Sequence, residues 1–440
     1  MIKRYWFYIF CAAIGMQSCK PKPLAKEALG PANISHVITA MTDIMVHDIT
    51  NPPLAARFFA YSCLSGYEVI VQNSDGYHSM YNRLHGYPQI GKPDSIQGYA
   101  VQLSALLAML ETAQKMQPSG KQLAAYEQQL LDSCSRIGYT ATQLQQSQRY
   151  ARYISKAVLA YARADGYNKI SNYARYTPVN KPGTWYPTPP AFLPAVEPYF
   201  KTVRTFVLDS SAQCKPVPPI AYSAAPSSAF YKLMQLNYTE GKTLPAEHRV
   251  IAAFWDCNPF AVEDDGHLQM ALKKISPGAH WLGIAGIACI QAKKDFAQSM
   301  QVMTMVAIGL TDGFISCWDE KYRSNRIRPE TAIRRHIDVN WRPLLQTPPF
   351  PEYPSGHSVI SAAAACILTH YFGEQFAYKD SVEQSYGLPP RSFTSFQQAA
   401  EEAAISRVYG GIHFKDAADN GLIQGKKAGE LVWARLGTTQ

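Results

Sequence analysis

Charge is scarce in this chain: Asp, Glu, Lys and Arg make up 17% of its 440 residues, against roughly 25% in an average globular protein. With 47% hydrophobic residues, that scarcity excludes intrinsic disorder, which needs low hydrophobicity together with high net charge. The formal charge is +9, yet no run of Lys and Arg concentrates it. A nucleic-acid tail or a polybasic membrane patch is therefore not expected, whereas a local site for a small anion is compatible with the pattern. The cysteines are widely spaced and include no C-x-x-C pair, so they make neither a cysteine zinc cage nor an obvious disulfide framework. One or two bridges stay compatible with the set. No internal repeat is evident, and no segment alternates apolar and polar residues repeatedly over strand length. Past the N-terminus no uninterrupted apolar span of membrane-crossing length is expected, because Lys293, Lys294 and Asp295 break the best candidate.

What is present begins with a leader. Lys3 and Arg4 precede the apolar stretch Trp6–Ile14, and small and polar residues follow up to Ser18. That is the layout of a secretory signal peptide, residues 1–18, to be set aside from the fold. Gly15-Met16-Gln17-Ser18-Cys19 resembles a bacterial lipoprotein box, with Met16 where Leu is usual. The resemblance implies lipidation of Cys19, a tether over residues 19–33, and an exported protein held at the cell envelope by a lipid anchor alone. The alternative is an ordinary cleaved signal with an incidental Cys.

Residues 34–440 read as a single all-α domain. Helical spacing covers Ile34–Gln72 with a break at Asn51-Pro52-Pro53, then Ser95–Lys115, Lys121–Ile137 and Ala141–Ala164. From Tyr173 to Tyr222 Pro and Tyr recur, which excludes a long helix and predicts an extended strap over a helical body. Helical pattern returns at Ala246–Trp255, from Leu282 through Ile308 to Trp318, from Gly356 to Phe372, and from Gln397 to the end.

Three short blocks in the last third carry chemistry: Lys321-x6-Arg328-Pro329, Pro354-Ser355-Gly356-His357 and Ser406-Arg407-x5-His413. Together they gather one Lys, two Arg, two His, a Ser and a Gly amide, the inventory for holding a tetrahedral oxyanion. Arg offers planar bidentate donors and Lys a compact charge. Ser355-Gly356 opens a run of small apolar residues, so backbone N–H groups at a helix N-terminus join the cradle. Pro329 is expected to end or bend any helix at Arg328. If the third block is helical, Ser406 and His413 share a face, and Asp416 at i+3 is placed to accept from the His413 imidazole. Gly410-Gly411 weakens that helix.

These blocks resemble, without mismatch, the superfamily that joins vanadium haloperoxidases to type 2 phosphatidic acid phosphatases and bacterial acid phosphatases. Thr311–Tyr322 and Thr347–Tyr353 also look like segments of vanadium-dependent chloroperoxidases, and Trp185–Pro190 and Pro277–Trp281 look like segments of bacterial relatives. The resemblance is specific over about residues 311–420. It implies a helical bundle of the haloperoxidase and acid phosphatase type, with an anion cradle of Lys321, Arg328, Ser355, Gly356 and Arg407. His413 would be the axial vanadium ligand of a haloperoxidase, or the nucleophile of a phosphatase. His357 would be the acid/base partner, and Trp318 and Phe350 would line a halide pocket. Vanadate as cofactor with hydrogen peroxide and halide as substrates is the first expectation. A phosphomonoesterase without metal, and a non-catalytic oxyanion-binding lipoprotein, are the alternatives.

Several residues read as structural. His280, His336 and His370 are expected to be packed groups, and Asp264-Asp265 with His267 a solvated loop.

Overall fold

The computed structural model of the chain describes residues 29–264, 269–271 and 274–437. The leader, Cys19, most of the tether, Asp265 and His267 lie outside them. The first two helices follow from local chemistry. Helix α1 (Pro31–His47) opens on a proline, inside the stretch expected to be tether, and α2 (Pro52–Val71) is capped by Asn51, whose Oδ1 accepts from Leu54 N at 3.0 Å. Next come α3 (Val101–Met116), α4 (Leu123–Arg136) and α5 (Ala141–Arg163), the last opened by a reciprocal Thr140 and Gln143 capping box. The Pro and Tyr segment runs without an α-helix up to α6 (Ala229–Thr243), as the strap reading requires. Helix α6 itself was not expected.

Helix α7 (Ala246–Phe254) precedes a small antiparallel pair, β1 (Val262–Asp264) with β2 (Gln269–Ala271). The long apolar region beyond it is two helices, α8 (Pro277–Gln291) and α9 (Phe296–Ser324). Lys293 takes a left-handed conformation, φ 52°, and Asp295 caps the new helix. Helix α10 (Pro329–His336) corrects the reading of Pro329, which opens a helix at its first position instead of ending one. Then follow α11 (Gly356–Phe372), the pair β3 (Tyr378–Asp380) and β4 (Arg391–Phe393), α12 (Phe396–Tyr409) and α13 (Lys415–Leu436). The all-α expectation holds, with two three-residue strand pairs added among the described residues.

Helix α9 is the axis of the molecule and packs against α2, α8, α11 and α13. By length and composition it meets the requirement for a membrane span, contrary to the expectation, but its apolar window is wholly buried by protein. A helix buried on every side is what the centre of a large bundle demands. One apolar cluster runs from Leu29 to Leu436 and takes in every described α-helix except α6 and α10, which pack in a smaller cluster with Trp341 and Phe414. All seven described cysteines are buried and free, which settles the question of bridges among them.

Candidate functional site

Helix ends converge on one point. Lys321 sits in the last turn of α9, Arg328 at the N-cap of α10, Ser355 at the N-cap of α11 with Gly356 and His357 in its first turn, and Arg407 in the last turn of α12. His413 lies in the turn between α12 and α13. Gly411 makes that turn possible with φ 74°, a conformation costly for any residue with a Cβ. The three sequence blocks thus meet as expected, but His413 is not on a helix and shares no helical face with Ser406. Ser406 Oγ instead donates to Ala403 O at 2.7 Å, within its own helix.

The cradle is a buried cluster of cations held by backbone carbonyls. Lys321 Nζ donates to the carbonyls of Pro351, Glu352 and Pro354 at 3.0, 3.1 and 2.6 Å. Arg328 donates from Nε to Phe350 O at 2.9 Å and from Nη1 to Ile412 O at 2.8 Å, and Arg407 Nη1 donates to Trp255 O at 2.7 Å. Their remaining donors are the informative ones: Arg328 Nη2, Arg407 Nε and Nη2, and the nearby His357 Nε2 are buried without a hydrogen-bond partner. Buried polar atoms are nearly always paired, so a group of orphans gathered around His413 marks the place of a ligand. Burial pushes the Lys321 ammonium down to about 7 and Arg328 to about 9, against the pull of nearby Glu352 in both cases. It holds Arg407 below its usual range as well, opposed by Asp256.

His413 is oriented from both sides. Its Nδ1 lies 2.9 Å from Glu352 Oε1, and its Nε2 lies 3.2 Å from Arg328 Nη1. A carboxylate at Nδ1 and an N–H donor at Nε2 are both satisfied only by the tautomer protonated at Nδ1, which leaves Nε2 unprotonated, its lone pair turned to Arg328. Burial, then Arg328 and Lys321, hold the imidazole well below its usual pKa. Burial and the neighbouring Arg407 and His413 do the same to His357.

The expected role of Asp416 is corrected. It does not reach His413; both its oxygens accept from Arg326, at 2.6 and 2.8 Å. The break at Gly411 removes the helical spacing that would have brought the two together. Arg326 in turn holds Glu352 Oε2 at 2.5 Å, while Glu352 Oε1 also accepts Phe414 N at 2.9 Å. Glu352 and Arg326 are therefore the site residues that sequence reasoning missed. Glu352 lies inside the singled-out Thr347–Tyr353 segment, but no local spacing ties it to a histidine 61 positions away.

Beside the cations an apolar wall closes the site. The rings of Trp318 and Phe350 lie 5.0 Å apart and, with Phe314, Phe260, Gly356 and both histidines, line one cavity. Trp318 Nε1 donates to Val196 O at 3.2 Å, anchoring the indole to the strap. Lys321 Nζ and the Arg328 guanidinium lie 5.0 and 5.1 Å from the Phe350 ring centre, so wall and cradle are one unit. A second and larger cavity, of about 760 Å³, is lined by Asp256, Lys274, Arg342 and Glu383 among others. His280 is buried and partnered by Asp380, and His336 is half-buried against Tyr222, as expected, whereas His370 is exposed, though it meets Glu430.

Two outcomes follow from this geometry. Lys321 ordinarily titrates at 10.5 and here near 7, so between those values the unfolded chain holds a proton that the anion-free folded protein has released, and stability rises with pH. Thermal unfolding from pH 7 to 9 is expected to show a steeper upward slope for the wild type than for Lys321→Met, and saturating phosphate is expected to flatten the wild-type curve. Parallel wild-type and variant curves would contradict the buried-ammonium account. Second, Glu352→Gln can turn its amide toward Nδ1 and favour the wrong tautomer. Vanadate affinity by equilibrium dialysis is expected to fall about 10–100-fold, with a smaller loss for Asp416→Asn; the reverse order would restore Asp416 as the partner of His413.

The comparisons with known proteins agree with this picture. The family model described as VCPO second helical-bundle domain matches residues 301–439. The comparison with curated proteins finds no match. A solved structure of a bacterial vanadium-dependent iodoperoxidase is similar at TM-score 0.88 and 41% identity, over 95% of this chain and 98% of that one. Holo and apo structures of a bacterial vanadium-dependent chloroperoxidase are similar in fold at TM-scores 0.66 and 0.65 and 15% identity, over 88% of this chain and 93% and 94% of theirs. A fold shared over nearly the full length of both chains, at an identity that reaches 41% with the iodoperoxidase, means that the chain belongs to the vanadium haloperoxidase superfamily.

Proposed function

We propose that the protein is a vanadate-dependent haloperoxidase that oxidises halide, iodide in the first place, with hydrogen peroxide. The observation that carries this reading is the set of unpartnered buried nitrogens, Arg328 Nη2, Arg407 Nε and Nη2 and His357 Nε2, beside His413, whose unprotonated Nε2 has only Arg328 Nη1 against it, at 3.2 Å. An oxyanion held by one nitrogen ligand and several N–H donors fits that set. His413 Nε2 would ligate the vanadium, the two guanidinium groups would bind its oxygens, and the free N–H groups of the first turn of α11 would add dipolar donors. Bound there, vanadate supplies a Lewis-acidic centre that activates hydrogen peroxide toward halide without a change of its own oxidation state.

The chain's residues do the rest. Glu352 holds the proton on Nδ1, so Nε2 stays unprotonated and would be available as the ligand. The neutral His357 is a ready acceptor for a proton from the incoming peroxide and can return it to the leaving water. Trp318 and Phe350 exclude water from one side and offer a polarisable surface to a large, weakly hydrated halide. Iodide as the preferred halide rests on the likeness to the iodoperoxidase.

The decisive experiment is a paired assay on protein lacking residues 1–18. Iodide and bromide oxidation is expected only after vanadate is added, with phosphate competing, and Arg407→Ala and His413→Ala are each expected to lose at least about 100-fold. Vanadate-loaded protein that stays inert toward halides, beside a metal-free form that hydrolyses a generic phosphomonoester, would establish the phosphatase reading. Binding of vanadate with neither activity would establish a non-catalytic oxyanion carrier.

We propose further that the protein is exported and tethered through lipidated Cys19. The charged start, the apolar stretch Trp6–Ile14 and the Ser18-Cys19 junction support this. In cells, Cys19→Ser is expected to move the protein from the membrane fraction to the soluble one and to abolish incorporation of labelled fatty acid.

A further inference from the structure

We infer that Cys257, His280 and Glu383 form a binding site for a zinc-class divalent metal, set behind the anion cradle. The argument starts from three distances. His280 Nδ1 lies 3.2 Å from Glu383 Oε1, Cys257 Sγ lies 3.5 Å from the same oxygen, and Sγ lies 3.6 Å from Nδ1. Tetrahedral zinc bound by sulfur at about 2.3 Å, nitrogen at about 2.05 Å and oxygen at about 2.1 Å places those ligand atoms about 3.4–3.6 Å apart. The triangle is already within a few tenths of an ångström of that size, so an ion at its centre requires little rearrangement.

The surroundings match as well. The other nitrogen of His280, Nε2, lies 2.8 Å from Asp380 Oδ2. That is the carboxylate and histidine pairing which fixes a ligating imidazole and raises its basicity. The Trp255 ring stacks on the imidazole at 4.7 Å and holds its plane. Cys257, His280 and Glu383 are all buried, and they come from three separate places in the chain: the residues after α7, the first turn of α8 and the short turn Val382–Tyr386 after β3. A thiol, an imidazole and a carboxylate together select a borderline ion of the zinc type over magnesium or calcium. Glu383 also lines the larger cavity of about 760 Å³ and Cys257 the smaller one beside the cradle, so the cluster borders both. On binding, the thiol proton and the proton on Nδ1 leave to solvent while a doubly charged ion arrives, so the net charge of the cluster is unchanged.

The position gives the metal a task. The residues before Cys257 are the two anchors of Arg407: Trp255 through its carbonyl and Asp256 through a carboxylate oxygen 3.9 Å from Nη2. An ion at Cys257 would tie that backbone to α8 and to the turn after β3, and thereby fix the aim of a guanidinium in the cradle. The metal would position Arg407 without touching the substrate.

Cobalt reports on such a site directly. Protein lacking residues 1–18 is stripped with a chelator and titrated with Co²⁺ alone. One equivalent is expected to produce a thiolate-to-cobalt charge-transfer band with the visible bands of tetrahedral cobalt. Cys257→Ser is expected to lose the charge-transfer band. Cys366→Ser, which alters the separate and more exposed Cys366, His370 and Glu430 cluster, is expected to keep it. Asp380→Asn is expected to weaken cobalt binding about 10–100-fold and keeps the test open should Cys257→Ser not fold. A wild type without the band, a band that survives Cys257→Ser, a band lost in Cys366→Ser, or an unchanged affinity in Asp380→Asn overturns the assignment.

Discussion

Three fully buried cations share one small volume, and among the described residues no carboxylate hydrogen-bonds to any of them. Glu352 is committed to Arg326 and His413, and Asp256, 3.9 Å from Arg407, is shared with Lys274. Buried charge is costly unless it is paired and hydrogen-bonded. The fold meets the requirement with backbone carbonyls, those of Phe350, Pro351, Glu352, Pro354, Ile412 and Trp255. Those carbonyls lie in three irregular segments, each drawn in against a helix end by the cation it solvates. The connection 350–355, the turn at 412 and the stretch after α7 therefore owe their paths to Lys321, Arg328 and Arg407. What the carbonyls leave unsatisfied is Nη2 of Arg328 and Nε and Nη2 of Arg407.

The same electrostatic pressure sets the state of the histidines. Surrounded by cations and out of water, His357 and His413 are held neutral, and Glu352 decides which nitrogen of His413 keeps its proton. An oxyanion in the cavity reverses the sign of the local field. Its arrival restores the charge on Lys321 and raises the affinity of His357 for a proton, so binding itself prepares the acid/base partner. The apolar wall belongs to this arrangement too, because the residue whose ring faces the cavity, Phe350, is also the one whose carbonyl holds Arg328 Nε.

The legible part of this site was the part written locally. Cation spacing, a Ser-Gly-His turn before a run of small residues and a His after paired glycines can be read from neighbouring positions, and the structure brings them together. Asp416 shows where local reading fails: its i+3 spacing to His413 has meaning only on a helix, and the positive φ of Gly411 has already ended one. Glu352 fills that role from another segment. At the level of the fold, the Asn51-Pro52-Pro53 break and the strap were readable because proline and capping act on adjacent residues. Pro329 was misread because the same ring that stops one helix can start the next. The length of α9 suggested nothing of a membrane-scale helix in the sequence because polar residues punctuate it, and only packing on every side explains its composition.

The precision of the cradle rests on an absence of side chains at a distance from it. Helix α13 presents Gly421, Gly425 and Gly429 to α11, and a Cβ on Gly425 would stand 1.9 Å from the Val359 carbonyl oxygen. The two helices are consequently closer than any side chain at that position would allow. This contact is what lets Ser355 N donate to Ala417 O at 3.1 Å, joining the N-cap of α11 to the first turn of α13. The Ser-Gly-His turn and the His413 turn, which lead into those two helices, are thereby held in one frame. A shift of α13 by the thickness of a methyl group would move His413 relative to the N–H groups of α11, and the cradle tolerates less displacement than that if all its donors are to meet one anion.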